Sequence, residues 1–128
     1  HAEVLKIALR AKRHDRFMLV SDAMPSVGAD VKEFRIQGRI ITVDGDRIID
    51  DEGRLAGAHL DMASAVRNTV NQLGVSLTDA LRMASTNPAG FLKLDGRMGR
   101  IAPGQRADLV LVDEELSVLR SWIGGLAD

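Results

Sequence analysis

The sequence contains no cysteine among its 128 residues, which excludes disulfide bonds and thiolate metal sites. Aromatic residues make up only 3% of the chain, so it has no series of rings on which nucleic-acid bases would stack. Neither charge predominates, since 17 Lys and Arg stand against 18 Asp and Glu. We therefore expect neither a nucleic acid nor an anionic membrane as a partner.

Long hydrophobic runs are also missing. No apolar stretch approaches the roughly 18 to 20 residues of a membrane helix, and the opening HAEVLKIALRAKR lacks the apolar block of a signal peptide. These features favour a cytoplasmic protein. The chain starts at His1 without methionine and enters helical spacing at once, so we expect a piece of a longer protein.

The first half of the chain has the pattern of an α/β fold. Apolar residues recurring at three to four positions predict a helix over residues 2–13. The consecutive apolar residues of 16–21 predict a strand covered on both faces, which is typical of parallel sheets. A β-rich run broken at Asp44-Gly45 predicts an antiparallel hairpin over about 34–50.

The second half predicts two helices and then two strands. The first helix covers residues 60–73 and ends at the capping residue Gly74, and the second begins after Ser76. Asn87-Pro88 is expected to stop the second helix. The runs 106–112 and 116–123 are expected to pair as antiparallel strands.

Asp22 is the first candidate for chemistry. It follows the predicted buried strand, and in α/β folds the carboxyl ends of such strands form the ligand site. A carboxylate there would transfer protons or help to hold a metal. The alternative is that Asp22 only caps the turn into Ala23-Met24-Pro25.

The second candidate is the stretch Leu55-Ala56-Gly57-Ala58-His59, whose first four residues we call the LAGA segment, and it precedes a predicted helix. Small residues allow a polar ligand to approach the backbone closely, although a plain loop-to-helix junction would look the same. The three histidines, His1, His14 and His59, lack the spacing of a metal site, so structural roles are favoured for each.

Four motifs together carry a family resemblance. They are LVSDAM at 19–24, LAGAHLDMASAVRNTV at 55–70, ALRMASTNPAGFL at 80–92 and GRIAPGQRADLVLVD at 99–113. The chain resembles the C-terminal part of the N-acetylglucosamine-6-phosphate deacetylases, in the amidohydrolase superfamily. The last motif is shared by many amidohydrolases, whereas LVSDAM followed by LAG and AVRN is more specific to the deacetylases.

The resemblance implies a fold and a reaction. Residues 1–96 would be the C-terminal part of a (β/α)₈ barrel, with the hairpin as an insertion, and residues 97–128 would be strands of a small β-sandwich. The intact protein would be a homodimer that hydrolyses N-acetylglucosamine 6-phosphate to glucosamine 6-phosphate and acetate. Asp22 would activate the metal-bound water and then protonate the departing amine, while Leu55, Ala56 and Gly57 would contact the sugar.

The resemblance also implies a divalent metal, most often zinc, bound by a glutamate and two histidines upstream of this segment. No residues here match those ligands, so the segment alone is expected to be inactive. His1 lies near the position of a substrate-binding histidine but receives no role, and His59 stands where a small residue is usual. The alternatives are another amidohydrolase, dihydroorotase-like or deaminase-like, or a non-catalytic interaction unit.

Overall fold

The computed structural model describes residues 1–45 and 47–127, which fall into two compact units. One unit comprises His1–Leu19 and Ala63–Asp128, and the other comprises Val20–Met62. The helices are α1 (Ala2–Ala11), α2 (Met62–Leu73), α3 (Leu77–Ala84) and α4 (Thr86–Phe91). The strands are β1 (Glu33–Ile36), β2 (Arg39–Asp44), β3 (Arg47–Asp50), β4 (Leu55–Ala58), β5 (Leu109–Val112), β6 (Val118–Ile123) and β7 (Leu126–Ala127). None of the helices seen in these two ranges has the length and apolar character needed to cross a membrane.

The core of the first unit is formed by its helices. Val66 of α2, Val75, and Ala80 and Met83 of α3 are buried together. Leu9 of α1 packs against this cluster. The helical periodicities of α2 and α3 are therefore confirmed, because their apolar residues meet in one core. Helix α1 is confirmed as a helix, but it contributes Leu9 to this core and leaves Val4 and Leu5 exposed.

Local capping signals set the boundary between α2 and α3. The hydroxyl of Ser76 accepts a hydrogen bond from the Asp79 N–H at 3.2 Å, as expected for an N-cap. Gly74 has a φ of +72° and its N–H donates to the Val70 carbonyl at 3.1 Å. Both predicted caps are confirmed, since each depends only on neighbouring residues.

The prediction that Asn87-Pro88 stops a helix is wrong. Helix α3 already ends at Ala84, and Pro88 is the third residue of α4. Proline is tolerated there because the N–H groups of a first turn have no acceptor within the helix. The Asn87 side chain donates to the carbonyls of His14 at 3.0 Å and Phe17 at 2.8 Å, so it anchors the preceding chain.

The tail forms a three-stranded antiparallel sheet in the order β5-β6-β7. The predicted pairing of the runs 106–112 and 116–123 is confirmed by the ladder between β5 and β6. Strand β7 was not predicted. It pairs with β6 across Gly124-Gly125, whose φ angles of +61° and +85° suit the primed turns of two-residue hairpins.

The second unit carries a four-stranded antiparallel sheet in the order β1-β2-β3-β4. The predicted hairpin is confirmed by the pairing of β2 with β3 and by the positive φ of Gly45, +60°. Ile41 and Ile48 are buried in this unit. The sequence suggested a loop for the LAGA segment, but the structure shows that it is strand β4. Its pairing with β3 is shifted between Ile48 and Ile49.

The predicted buried strand over 16–21 is also wrong for this chain. A short 3₁₀ turn covers His14–Arg16, and within the described ranges no strand ladder includes residues 17–21. Met18 and Val20 are 40% and 80% exposed, so the segment is not covered on both faces. A strand requires a neighbouring strand as its hydrogen-bonding partner. Here the Leu19 N–H donates instead to the carbonyl of Met83 in helix α3, at 2.9 Å.

Candidate active site

Asp22 has an unusual backbone conformation. Its φ is +51°, in the left-handed region that residues other than glycine seldom adopt. Such conformations cost on the order of 1–3 kcal/mol and cluster at functional sites. Aspartate is among the residues that tolerate this region best. Gln37, Lys93 and Leu116 also have positive φ, so the conformation suits a tight turn, and what distinguishes Asp22 is its backbone contact with β4.

The LAGA strand, β4, holds the backbone on both sides of Asp22. The Asp22 carbonyl accepts a hydrogen bond from the Ala58 N–H at 3.0 Å, and the Met24 N–H donates to the Ala58 carbonyl at 3.2 Å. Ala23 and Ala58 consequently form an isolated parallel bridge. The two candidates found separately in the sequence are thus neighbours in space, and both belong to the Val20–Met62 unit.

Gly57 is required for this close approach. A Cβ atom at position 57 would lie 2.5 Å from Met24 Cγ and 3.4 Å from the Asp22 carbonyl oxygen. The φ of Gly57, +141°, is in addition unfavourable for any side chain. The small residue predicted to admit a ligand therefore first admits the Met24 side chain.

Strand β4 has a bulge at Ala56, because Gly57 pairs with Ile48 while Leu55 pairs with the next residue of β3, Ile49. Leu55 is 73% exposed, while Ala56, Gly57 and Ala58 are half-buried. The strand therefore presents one exposed apolar side chain and several small, half-buried residues beside the Asp22 backbone. Their assignment to a sugar-binding role stays a prediction.

A hydrogen bond between His59 and Ser26 lies in the same unit and was not predicted. The His59 Nδ1 atom is 3.0 Å from the hydroxyl of Ser26, and Ser26 is fully buried. The role of His59 as a hydrogen-bonded residue was favoured from sequence. Nothing in the sequence distinguished Ser26, because a serine after Pro25 reads as an ordinary turn residue.

The other two histidines belong to the other unit. His14 Nδ1 is 3.0 Å from the Asp79 carboxylate, which agrees with a structural role. His1 precedes α1 as its N-cap without a side-chain capping bond. The structure assigns neither residue to the candidate site.

The described residues do not supply a metal site. Over 1–45 and 47–127 no three His, Asp or Glu side chains come close enough together to bind an ion. Asp22 is exposed beside β4 and belongs to no such group of three in those ranges. The arrangement therefore offers an exposed carboxylate on a close-packed backbone, and within the described ranges no group of three metal ligands.

Comparisons with known proteins agree with the family expectation. A family model of the amidohydrolase family matches residues 3–127. The N-acetylgalactosamine-6-phosphate deacetylase of Shewanella sp. (strain ANA-3) is 42% identical over 118 residues, which are 92% of this chain and 30% of that enzyme. The N-acetylglucosamine-6-phosphate deacetylase of Lysinibacillus sphaericus is 34% identical over 116 residues, 91% of this chain and 30% of that enzyme.

A solved structure is similar over nearly the whole chain. The crystal structure of N-acetylglucosamine-6-phosphate deacetylase from Pasteurella multocida matches with a TM-score of 0.93 at 28% identity, covering 99% of this chain and 33% of that one. The chain spans 30% of the length of the two curated relatives named above. Because the family match extends over residues 3–127, the chain belongs to the amidohydrolase family.

Proposed function

We propose that the protein containing this chain is a metal-dependent deacetylase that hydrolyses N-acetylglucosamine 6-phosphate to glucosamine 6-phosphate and acetate. The observation that carries the proposal is the placement of Asp22 in a left-handed conformation, hydrogen-bonded through its carbonyl to the LAGA strand. The deacetylase names of the relatives support the substrate class.

In this proposal Asp22 moves one proton. Its carboxylate accepts a proton from the water that attacks the acetyl carbonyl, and returns it to the nitrogen as the C–N bond breaks. Water and the amide are consumed, and acetate and the protonated amine are released, the second proton of the water passing to the amine. Leu55, Ala56 and Gly57 would border the sugar. The exposed Leu55 side chain would pack against the apolar face of the sugar, and the two small residues would leave room for the ring.

The divalent metal, zinc by preference, is placed on residues outside this segment, because the described residues offer no group of three ligands. The segment alone is accordingly proposed to be inactive. A (β/α)₈ barrel extending over residues 1–96, a β-sandwich that includes 97–128, a homodimer and a cytoplasmic location are proposals that rest on the resemblance. The antiparallel tail sheet β5-β6-β7 is compatible with such a sandwich.

A second candidate substrate is the galacto epimer, N-acetylgalactosamine 6-phosphate. It is favoured by the higher identity to the Shewanella galactosamine enzyme, 42%, than to the Lysinibacillus glucosamine enzyme, 34%. The reaction and the role of Asp22 would be the same. The two epimers differ only at the C4 hydroxyl, so the choice between them concerns the sugar-binding residues.

The test uses the intact protein that contains this segment. Hydrolysis would be measured as acetate release from N-acetylglucosamine 6-phosphate and from its galacto epimer and, for the alternative of a dihydroorotase-like enzyme, as loss of dihydroorotate. We expect turnover of at least one hexosamine phosphate and none of dihydroorotate. Turnover of dihydroorotate alone would refute the deacetylase, and the isolated 128-residue segment should release no acetate.

A further inference from the structure

His59 is the one polar side chain of the stretch LAGAHL, residues 55–60. It directly follows Ala58, whose N–H and carbonyl pair with Asp22 and Met24. Successive Cα atoms are about 3.8 Å apart, so the histidine begins one residue beyond the backbone contact that fixes Asp22. It is exposed. An exposed imidazole next to the LAGA strand can hydrogen-bond a ligand that lies on that strand.

Ser26 fixes the orientation of the His59 ring. The distance from the Ser26 hydroxyl to Nδ1 is 3.0 Å, and the serine has no exposed surface. Leaving a buried hydroxyl unpaired would be costly, which favours keeping the ring in this place. Because Ser26 occupies Nδ1, the nitrogen that remains for a ligand is Nε2.

The pair is chemically suited to a hydroxyl group. Ser26 is an uncharged partner for the ring. The free ring nitrogen, Nε2, presents either an N–H donor or a lone pair, depending on the tautomer. A sugar hydroxyl both donates and accepts, so it can pair with either tautomer, whereas a phosphate only accepts.

We propose that His59 determines epimer specificity by hydrogen-bonding the C4 hydroxyl of the hexosamine 6-phosphate through Nε2, and that Ser26 is its positioning residue. The inference rests on the proposed function. Leu55, Ala56, Gly57 and Ala58 present no side-chain hydrogen-bonding group, so directional recognition by this segment falls to His59. By their names, the Shewanella relative acts on the galacto epimer and the Lysinibacillus relative acts on the gluco epimer, and these substrates differ at C4.

The test compares kcat/KM for the two epimers in variants of the intact protein. In His59→Asn the amide can still pair with Ser26 but has no atom at the Nε2 position. We expect this variant to shift the ratio of the two kcat/KM values by about tenfold, the effect of one hydrogen bond to substrate. In His59→Gln the longer amide reaches the Nε2 position, and the ratio should stay within about threefold of wild type.

Ser26→Ala tests the positioning role. Loss of the hydroxyl frees the ring, so the epimer ratio should move in the same direction as in His59→Asn but by less. A purely structural defect would lower both kcat/KM values equally and leave the ratio unchanged. His14→Asn is the matched control, because it replaces a histidine whose Nδ1 also has a side-chain partner, in the other unit, and it should not change the ratio.

Two outcomes overturn the inference, and they are distinguishable. If wild type turns over a hexosamine phosphate but His59→Asn keeps the wild-type epimer ratio, His59 does not read C4 and only this inference fails. If wild type turns over neither epimer, the proposed function fails and the inference fails with it. Thermal unfolding of every variant shows that altered ratios come from folded protein.

Discussion

Replacing Asp22 with asparagine in the intact protein separates the chemistry of this side chain from its backbone role. Asparagine has nearly the same shape and also tolerates a φ near the observed +51°. The 3.0 Å bond to the Ala58 N–H uses the Asp22 carbonyl, which the variant keeps. We therefore expect stability within about 0.5 kcal/mol of wild type, and kcat reduced about 10²- to 10⁴-fold through loss of proton transfer.

Two further substitutions at position 22 test whether the backbone strain is functional. Glycine adopts positive φ without steric cost, so Asp22→Gly should be at least as stable as Asp22→Asn while remaining inactive. Alanine meets a penalty of roughly 1–2 kcal/mol in this conformation, so Asp22→Ala should be the least stable of the three. All three should lose activity to a similar extent, because none carries the carboxylate.

The assay is acetate release at saturating substrate, paired with thermal unfolding of each variant. Asp51→Asn is the matched control, because Asp51 is an exposed aspartate in the turn between β3 and β4, at the far end of β4 from Ala58. It should retain both rate and stability. An Asp22→Asn variant with near-normal kcat would remove Asp22 from the chemistry, and a large loss of stability in that variant would assign it a structural role instead.

Three other predictions concern the fold and are read from unfolding of the intact protein. Gly57→Ala should destabilise more than Gly28→Ala, because both have positive φ but only the Gly57 Cβ would meet Met24, and equal losses would contradict the contact. Ser76→Ala should cost about 1 kcal/mol through loss of the α3 N-cap, and no measurable change would contradict that cap. Side-chain hydrogen bonds, first with His14 and then with Ser76, hold the pKa of Asp79 below its ordinary value of 3.8. The ionised Asp79 therefore contributes stability at pH values above 3.8, and this contribution is lost as the pH falls through the lower pKa of the folded state. Asp79→Asn should therefore show a smaller loss of stability than wild type between pH 5 and pH 3, and an identical loss would contradict the pairing.

The elements that the sequence predicted correctly are those decided by near neighbours. The caps at Gly74 and Ser76 and the turn at Gly45 each depend on a few consecutive residues, and all three are confirmed. The tail strands were also recognisable, because their apolar runs are separated by a short acidic turn. Pro88 was misjudged because its effect depends on where the helix starts, which the residue itself does not show.

The failures concern residues whose structure depends on distant partners. The apolar run 16–21 looked like a strand, yet a strand forms only where a neighbour pairs with it. The LAGA segment looked like a loop, and its pairing with β3 and with Ala23 made it a strand. Asp22 and Gly57 were predicted separately, but the position of Gly57 against the Met24 side chain and the Asp22 carbonyl oxygen could not be seen without coordinates. Ser26 had no sequence signal because burial alone gives it importance.

The most direct test of the role of Asp22 is a crystal structure of the intact Asp22→Asn protein with N-acetylglucosamine 6-phosphate bound, a complex that slow turnover should preserve. We predict the side chain at position 22 within hydrogen-bond reach, about 2.6–3.2 Å, of the amide nitrogen or of a water facing the acetyl carbon. The LAGA strand should border the sugar. A side chain at position 22 directed away from the acetamido group, with no water between them, would contradict the account.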